Sequence, residues 1–227
     1  ANPVSGDFRK LYTQNAIDNV GRGTDWFGLI TRNGTTQQHN VSVTGGTATT
    51  RYLFSGNYYD QHGIVKNANF QRFTFRSNIE QQLSKPVRLG INLTGSRINN
   101  DNTQLGNDQY ENSGIIRAAI QMGPHIKPMD DDGNYPVNPQ LATQPNPYSM
   151  LTITDKGRID RVLLNSYLDI TPVKGLLIKL KAGLDKSSTD RWSYLPRTTL
   201  YGAMENGRAS VGHTDVNDYL LEATATY

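Results

Sequence analysis

With 227 residues, only 36% of them hydrophobic, and a mean hydropathy of -0.59, this chain contains no run approaching the roughly 20 apolar residues that a membrane-spanning helix requires. The absence of cysteine excludes a disulfide framework and thiolate metal sites. The formal net charge of +3 arises from 23 basic and 20 acidic residues scattered along the chain, which argues against nucleic-acid binding.

Residues 1–35 are polar and lack clean periodicity. They read as a loop with helical turns, one over Phe8 to Val20 and another over Thr24 to Ile30, the latter capped by Thr24 or Asp25. Ala1-Asn2-Pro3-Val4 has neither the charged nor the apolar region of a signal peptide. Strands follow at Gln38–Thr44, Arg51–Tyr59, Phe70–Glu80 and Val87–Arg97. Residues 98–157 then form a long connection rich in Asn, Asp, Gln and Pro. It holds one helix over Gly114 to Met122, with Ser113 as its cap and Gly123-Pro124 as its stop. Strands resume at Asp160–Thr171 and Leu176–Asp185. A second long loop, 191–217, leads into a last strand at 219–227. That strand runs to the end of the sequence with no turn after it, as expected of a fragment.

The strands alternate with a period of two. Val87, Leu89, Ile91 and Leu93 share one face, and Arg88, Gly90, Asn92 and Thr94 share the other. Phe73, Phe75, Ser77 and Ile79 likewise oppose Arg72, Thr74, Arg76 and Asn78. The connections also alternate. Those at 45–50, 81–86 and 172–175 are tight, whereas 60–69, 98–157 and 191–217 are longer. An apolar exterior, a polar interior, short turns at one end and long loops at the other are the pattern of a transmembrane β-barrel. The fold class expected is all-β, an antiparallel barrel segment of about seven strands, with strands 38–44 and 219–227 at its free edges.

Candidate chemistry is sparse. Asp130-Asp131-Asp132-Gly133-Asn134 suggests calcium, but an EF-hand loop starting at Asp130 would need Gly at its sixth position, where Tyr135 stands; a polar turn is the better reading. His39, His62, His125 and His213 form no close pair, and neither H-E-x-x-H nor G-x-S-x-G occurs. No catalytic, metal-binding or cofactor-binding residue is assigned, and no enzyme activity is expected. Trp26, Trp192, Tyr194 and Tyr201 could stack on a sugar, although an interface girdle or loop packing accounts for each one more simply. Arg72, Arg76, Arg88, Lys179 and Lys181 fall on the polar, lumen-side face, as solvated side chains or as contacts to substrate or plug.

Asp25-Trp26-Phe27 and Gln38-His39-Asn40-Val41-Ser42-Val43-Thr44-Gly45-Gly46-Thr47 resemble the start of the barrel in the SusC/RagA family of TonB-dependent outer-membrane transporters. So do Thr50-Arg51-Tyr52, Asp60-Gln61-His62-Gly63-Ile64-Val65-Lys66, Leu89-Gly90-Ile91-Asn92-Leu93-Thr94-Gly95 and Asp132-Gly133-Asn134-Tyr135. The resemblance implies about 22 strands around a plug; the seven here follow the first barrel strand, and residues 1–35 lie in the first extracellular loop. It implies import of a bulky nutrient, most often an oligosaccharide. It also implies a SusD-like surface lipoprotein as partner, energy from the TonB complex acting through a plug region outside this sequence, and residence in the outer membrane. The sequence assigns no substrate-binding residue. Peptide import by the same architecture, a non-transporting outer-membrane adhesin or hydrolase, and a soluble glycan-binding β-sandwich are the alternatives.

Overall fold

A computed structural model describes Asp18, residues 21–102 and residues 114–227. The helix expected over Phe8 to Val20 lies, Asp18 apart, outside the described residues, as does Ser113. Gly114 occupies the N-cap of the helix that Ser113 was expected to cap, with no side-chain hydrogen bond there. In chain order the elements are α1 (Trp26–Ile30), β1 (Thr35–Gly46), β2 (Thr50–His62), β3 (Asn69–Ser84), β4 (Val87–Asp101), α2 (Ile115–Gln121), α3 (Pro147–Met150), β5 (Thr154–Ile170), β6 (Leu177–Leu195), α4 (Leu200–Met204) and β7 (Arg208–Thr226).

The seven strands form one antiparallel sheet in the order β1-β2-β3-β4-β5-β6-β7, so every neighbour in space is a neighbour in sequence. β1 and β7 are its two edges. Cross-strand register carries one set of side chains across the whole sheet. A representative row runs Val43, Phe54, Ser77, Leu93, Leu164, Leu184, Tyr219, and the next row on the same face runs Tyr52, Ile79, Ile91, Ser166, Ala182, Leu221. The opposite face carries Arg51, Glu80, Gly90, Tyr167, Lys181 and Glu222 in one row. Apolar and polar faces therefore agree in all seven strands, as the alternation predicts. The apolar face is bare: Val41 is 70% exposed and Leu221 86%. Aromatic pairs lie along it, Tyr58 against Phe73 with ring centroids 4.8 Å apart and Tyr52 beside Phe54 at 5.7 Å.

Every buried hydrophobic side chain among the described residues lies outside the strands. Trp26, Ile30, Ile115, Ala118, Ala119, Met122, Ile126 and Met150 form one cluster, all in helices or loops. A β-sandwich would hold its dry core between strands. The sheet has no such layer, and the soluble alternative falls on that observation.

The strands are longer than the apolar alternation. β6 continues to Leu195 rather than Asp185, and β7 begins at Arg208 rather than 219, so the second long loop shrinks from 191–217 to residues 196–207. The first shrinks from 98–157 to residues 102–153. The turn after β3 reduces to Lys85-Pro86, with a register shift between Gln82 and Ser84. From Lys186 to Arg191 both faces are polar, so the hydrophobic signal stops while ladder hydrogen bonds continue. Ion pairs between neighbouring strands, Arg158 with Asp190 at 2.7 Å and Arg191 with Asp155 at 2.7 Å, hold the extension together.

Candidate functional site

The long connections meet at one end of the sheet and build a small dome. α1 starts where the Asp25 carboxylate accepts a hydrogen bond from the Gly28 amide at 2.9 Å, so Asp25 is the cap. Its Trp26 is buried, and the indole N–H donates to the Gly123 carbonyl at 3.0 Å. α2 contributes Ile115, Ala118 and Ala119 on one helical face, and its C-cap Met122 joins them. α3 begins at Asn146, whose Oδ1 accepts from the Tyr148 amide at 2.9 Å while its Nδ2 donates to the Pro136 carbonyl at 2.9 Å and the Pro128 carbonyl at 3.1 Å. One short amide thus caps a helix and ties three loop segments together.

The segment before β1 is sewn to the β2–β3 connection. Thr31 bridges Val65, the Arg32 amide donates to the Ile64 carbonyl at 2.8 Å, and the Lys66 amide to the Ile30 carbonyl at 2.9 Å. The Arg32 guanidinium adds bonds to the Gly63 carbonyl at 3.0 Å and to Asn69 Oδ1 at 2.6 Å. Asn67 adopts a positive φ of 65° and donates to the Leu151 carbonyl at 2.7 Å. The Tyr201 hydroxyl of α4 reaches the Thr143 carbonyl at 3.0 Å, which brings the last long connection to the same dome.

Below the dome, the polar ends of the strands stand as a rim beyond the apolar band. On its apolar-face side, a cleft of about 370 Å³ is lined by His62, Asn69, Asp101, Lys156, Arg158 and Trp192, among others. Arg158 lies 5.5 Å from the Trp192 ring centre. The His213 imidazole sits between two carboxylates, with Nδ1 2.7 Å from Asp190 and Nε2 3.0 Å from Asp215. Hydrogen bonding to Asp190, then to Asp215, raises the His213 pKa above its ordinary value. The same bonds hold Asp190 and Asp215 below the usual carboxylate range.

The polar face of the apolar band divides into two halves. On β5 and β6 each polar-face cation is ion-paired: Arg161 with Asp185, Lys179 with Asp169 at 3.5 Å, Lys181 with Glu222 at 3.3 Å, and Arg191 with Asp155. On β3, Arg72 and Arg76 have only neutral cross-strand neighbours. Asn40 and Asn57 hydrogen-bond each other beside them.

The sequence-derived candidates separate accordingly. Arg72, Arg76, Arg88, Lys179 and Lys181 all lie on the polar face, as expected. Trp26 is a packing residue of the dome, Trp192 and Tyr194 sit on the apolar-face side of the rim, and Tyr201 pins a loop. Asp130 forms a turn, accepting the Asn134 amide at 2.7 Å and the Asp132 amide at 3.1 Å, with Gly133 at a φ of 84°. Sequence reading missed the dome core, although the spacing of Ile115, Ala118, Ala119 and Met122 carried the signal. It also missed the His213 clamp, which only the β6–β7 register brings together.

No family model matches the chain. The TonB-dependent receptor P3 of Formosa agariphila is 29% identical over 223 residues, covering 97% of this chain and 22% of that protein. The TonB-dependent receptor SusC of Bacteroides thetaiotaomicron is 32% identical over 102 residues, 44% of this chain and 10% of that protein. Among solved structures, the RagAB peptide importer in its closed-closed state superposes with a TM-score of 0.63 at 28% identity, covering 78% of this chain and 20% of that one. The chain thus spans about a fifth of the length of the first of these relatives. It is an antiparallel barrel-wall segment, related over nearly its whole length to the TonB-dependent receptors of the SusC/RagA type.

Proposed function

We propose that this wall segment serves the import of a bulky nutrient, most readily an oligosaccharide, across a Gram-negative outer membrane. Residues 36–227 are the partial barrel, and residues 1–35 belong to an extracellular loop segment. The dome lies outside the cell, where a SusD-like lipoprotein would meet it. The TonB complex would supply energy through a plug carried by the rest of the protein. The observation that carries this reading is a polar face kept in register across all seven strands beneath the converging long loops. Such a wall lines a wet passage and presents its loops to what enters it.

The test is uptake by cells expressing the whole parent protein, with and without a working TonB complex, using labelled oligosaccharides and labelled peptides of similar size. TonB-dependent accumulation of an oligosaccharide supports the proposal. Accumulation of peptides alone replaces the substrate class. Binding to the cell surface without uptake of either would point instead to an adhesin. Orientation is tested by adding protease to intact cells: cleavage within 102–153 should precede cleavage at Lys85-Pro86 or at 171–176.

A further inference from the structure

The two halves of the lumen wall differ in charge compensation. The cations of β5 and β6 on this face are neutralised by neighbouring carboxylates, whereas Arg72 and Arg76 of β3 are not. Arg72 pairs across the sheet with Tyr59 and Ile98, and Arg76 with Ser55 and Thr94. Between them Thr74 pairs with Asn57 and Ser96. No carboxylate stands among the direct or diagonal partners of either arginine. The Arg72 Nε is buried and has no hydrogen-bond partner among the described residues, and its guanidinium lies 5.7 Å from the Tyr59 ring centre. Arg76 is exposed and has no ion-pair partner among the described residues.

From these contacts we infer that Arg72 and Arg76 form an anion-binding track for an acidic oligosaccharide. The inference rests on the import reading and narrows its substrate. Two guanidinium groups four residues apart on a strand are spaced by about 13 Å. Each offers a fork of donors matched to a carboxylate or a sulfate. The surface between them is hydroxyl and amide, supplied by Ser55, Asn57, Thr74, Thr94 and Ser96, which suits sugar hydroxyls. The Tyr59 ring packs edge-on against Phe70 at 5.9 Å and offers an apolar face at the upper end. Hydroxyl and amide groups line the stretch between the two guanidinium groups, so a glycan is the occupant it fits.

The test uses the purified, complete parent transporter and four probes: a uronate tetrasaccharide, its carboxyl-reduced neutral counterpart, a sulfated tetrasaccharide, and an acidic hexapeptide. The expected result is that one or both anionic glycans bind and the neutral one binds at least about tenfold more weakly. Raising salt should weaken the anionic glycans and leave the neutral one unchanged. The variant R72Q/R76Q should lose about tenfold or more for the anionic glycan and nothing for the neutral one, while R88Q should lose little. Which anionic glycan binds distinguishes carboxylate from sulfate recognition. Equal binding of charged and neutral glycans by the unaltered protein, full retention by R72Q/R76Q, or preference for the acidic peptide would overturn the inference. The salt series on the unaltered protein decides the matter even if the variant fails to fold. A neutral glycan imported in a TonB-dependent manner would refute the anionic track and leave the import reading standing. Failure of every probe to enter cells would refute the import reading itself.

Discussion

Tyr167 on β5 and Glu80 on β3 are joined by a 2.6 Å hydrogen bond from the phenol to the carboxylate, although β4 lies between their strands. The bond exists because the residue between them is Gly90. The Tyr167 ring lies across that position, and a Cβ on residue 90 would overlap it. Replacing Gly90 by alanine should evict the ring, break the bond and cost about 1–3 kcal/mol by overpacking. Gly95, five residues along the same strand, has open space where its Cβ would sit. Alanine there should be nearly neutral. Refolding titrations of the intact parent barrel carrying G90A and G95A check this; equal costs would show that the tyrosine bridge is incidental.

The identity of the lipid-facing side rests on β4. Ile91 shares its row with Ile79 and Ala182 on the apolar face, and Asn92 lies on the polar one. Ile91→Arg should destabilise the inserted barrel by about 2–4 kcal/mol near the membrane midplane. Asn92→Arg should cost far less, because its side chain enters a wet lumen. The reverse order in a refolding titration would exchange the two faces.

Trp26 is 4% exposed and lies in the dome cluster, none of whose buried members belongs to a strand. Trp26→Ala should remove about 3–5 kcal/mol from the dome by cavity formation. The barrel itself should keep its heat-modifiable mobility on gels, while residues 114–153 become quickly cleaved by protease. Loss of both together would mean that dome and wall unfold as one unit.

The His213 clamp has a definite pH sense. Its folded pKa is raised, so the stabilisation from its two carboxylate bonds is complete below the ordinary histidine value of about 6.5 and is lost as pH rises through the folded value. Asp190, Asp215, Arg158 and Lys186 are the charged groups around it. A histidine NMR titration should place His213 above the ordinary value, and D190N should bring it down. An unshifted His213 in the unaltered protein would dissolve the clamp.

The sheet was legible wherever one face met an apolar surroundings and the other a polar one. Leu89, Ile91 and Leu93 against Arg88, Asn92 and Thr94 set the register of β4 and, through the short Lys85-Pro86 turn, of β3. The upper halves of β6 and β7 were not legible. Ser187, Ser188, Thr189 and Asp190 are polar on both faces, so the period of two disappears although the ladder goes on to Leu195. The dome was obscured for a different reason. Its core draws on Trp26, Ile115 and Met150, separated by long polar stretches, and no local pattern links them. Asp130 to Asn134 was readable because its hydrogen bonds are local.

The dome also fixes an order of events. Thr24 donates to the Ile126 carbonyl at 2.7 Å across 102 positions, and Asn67 reaches Leu151 across 84. Such closures carry a high entropic cost while the intervening chain is loose. β1 to β4 lie within that interval, and their pairing draws the distant segments together beforehand. The buried tryptophan can therefore settle only after both preceding hairpins stand side by side. Until then its apolar partners remain exposed to whatever surrounds the nascent barrel, so a stalled wall would carry a visible mark of incompleteness at its mouth.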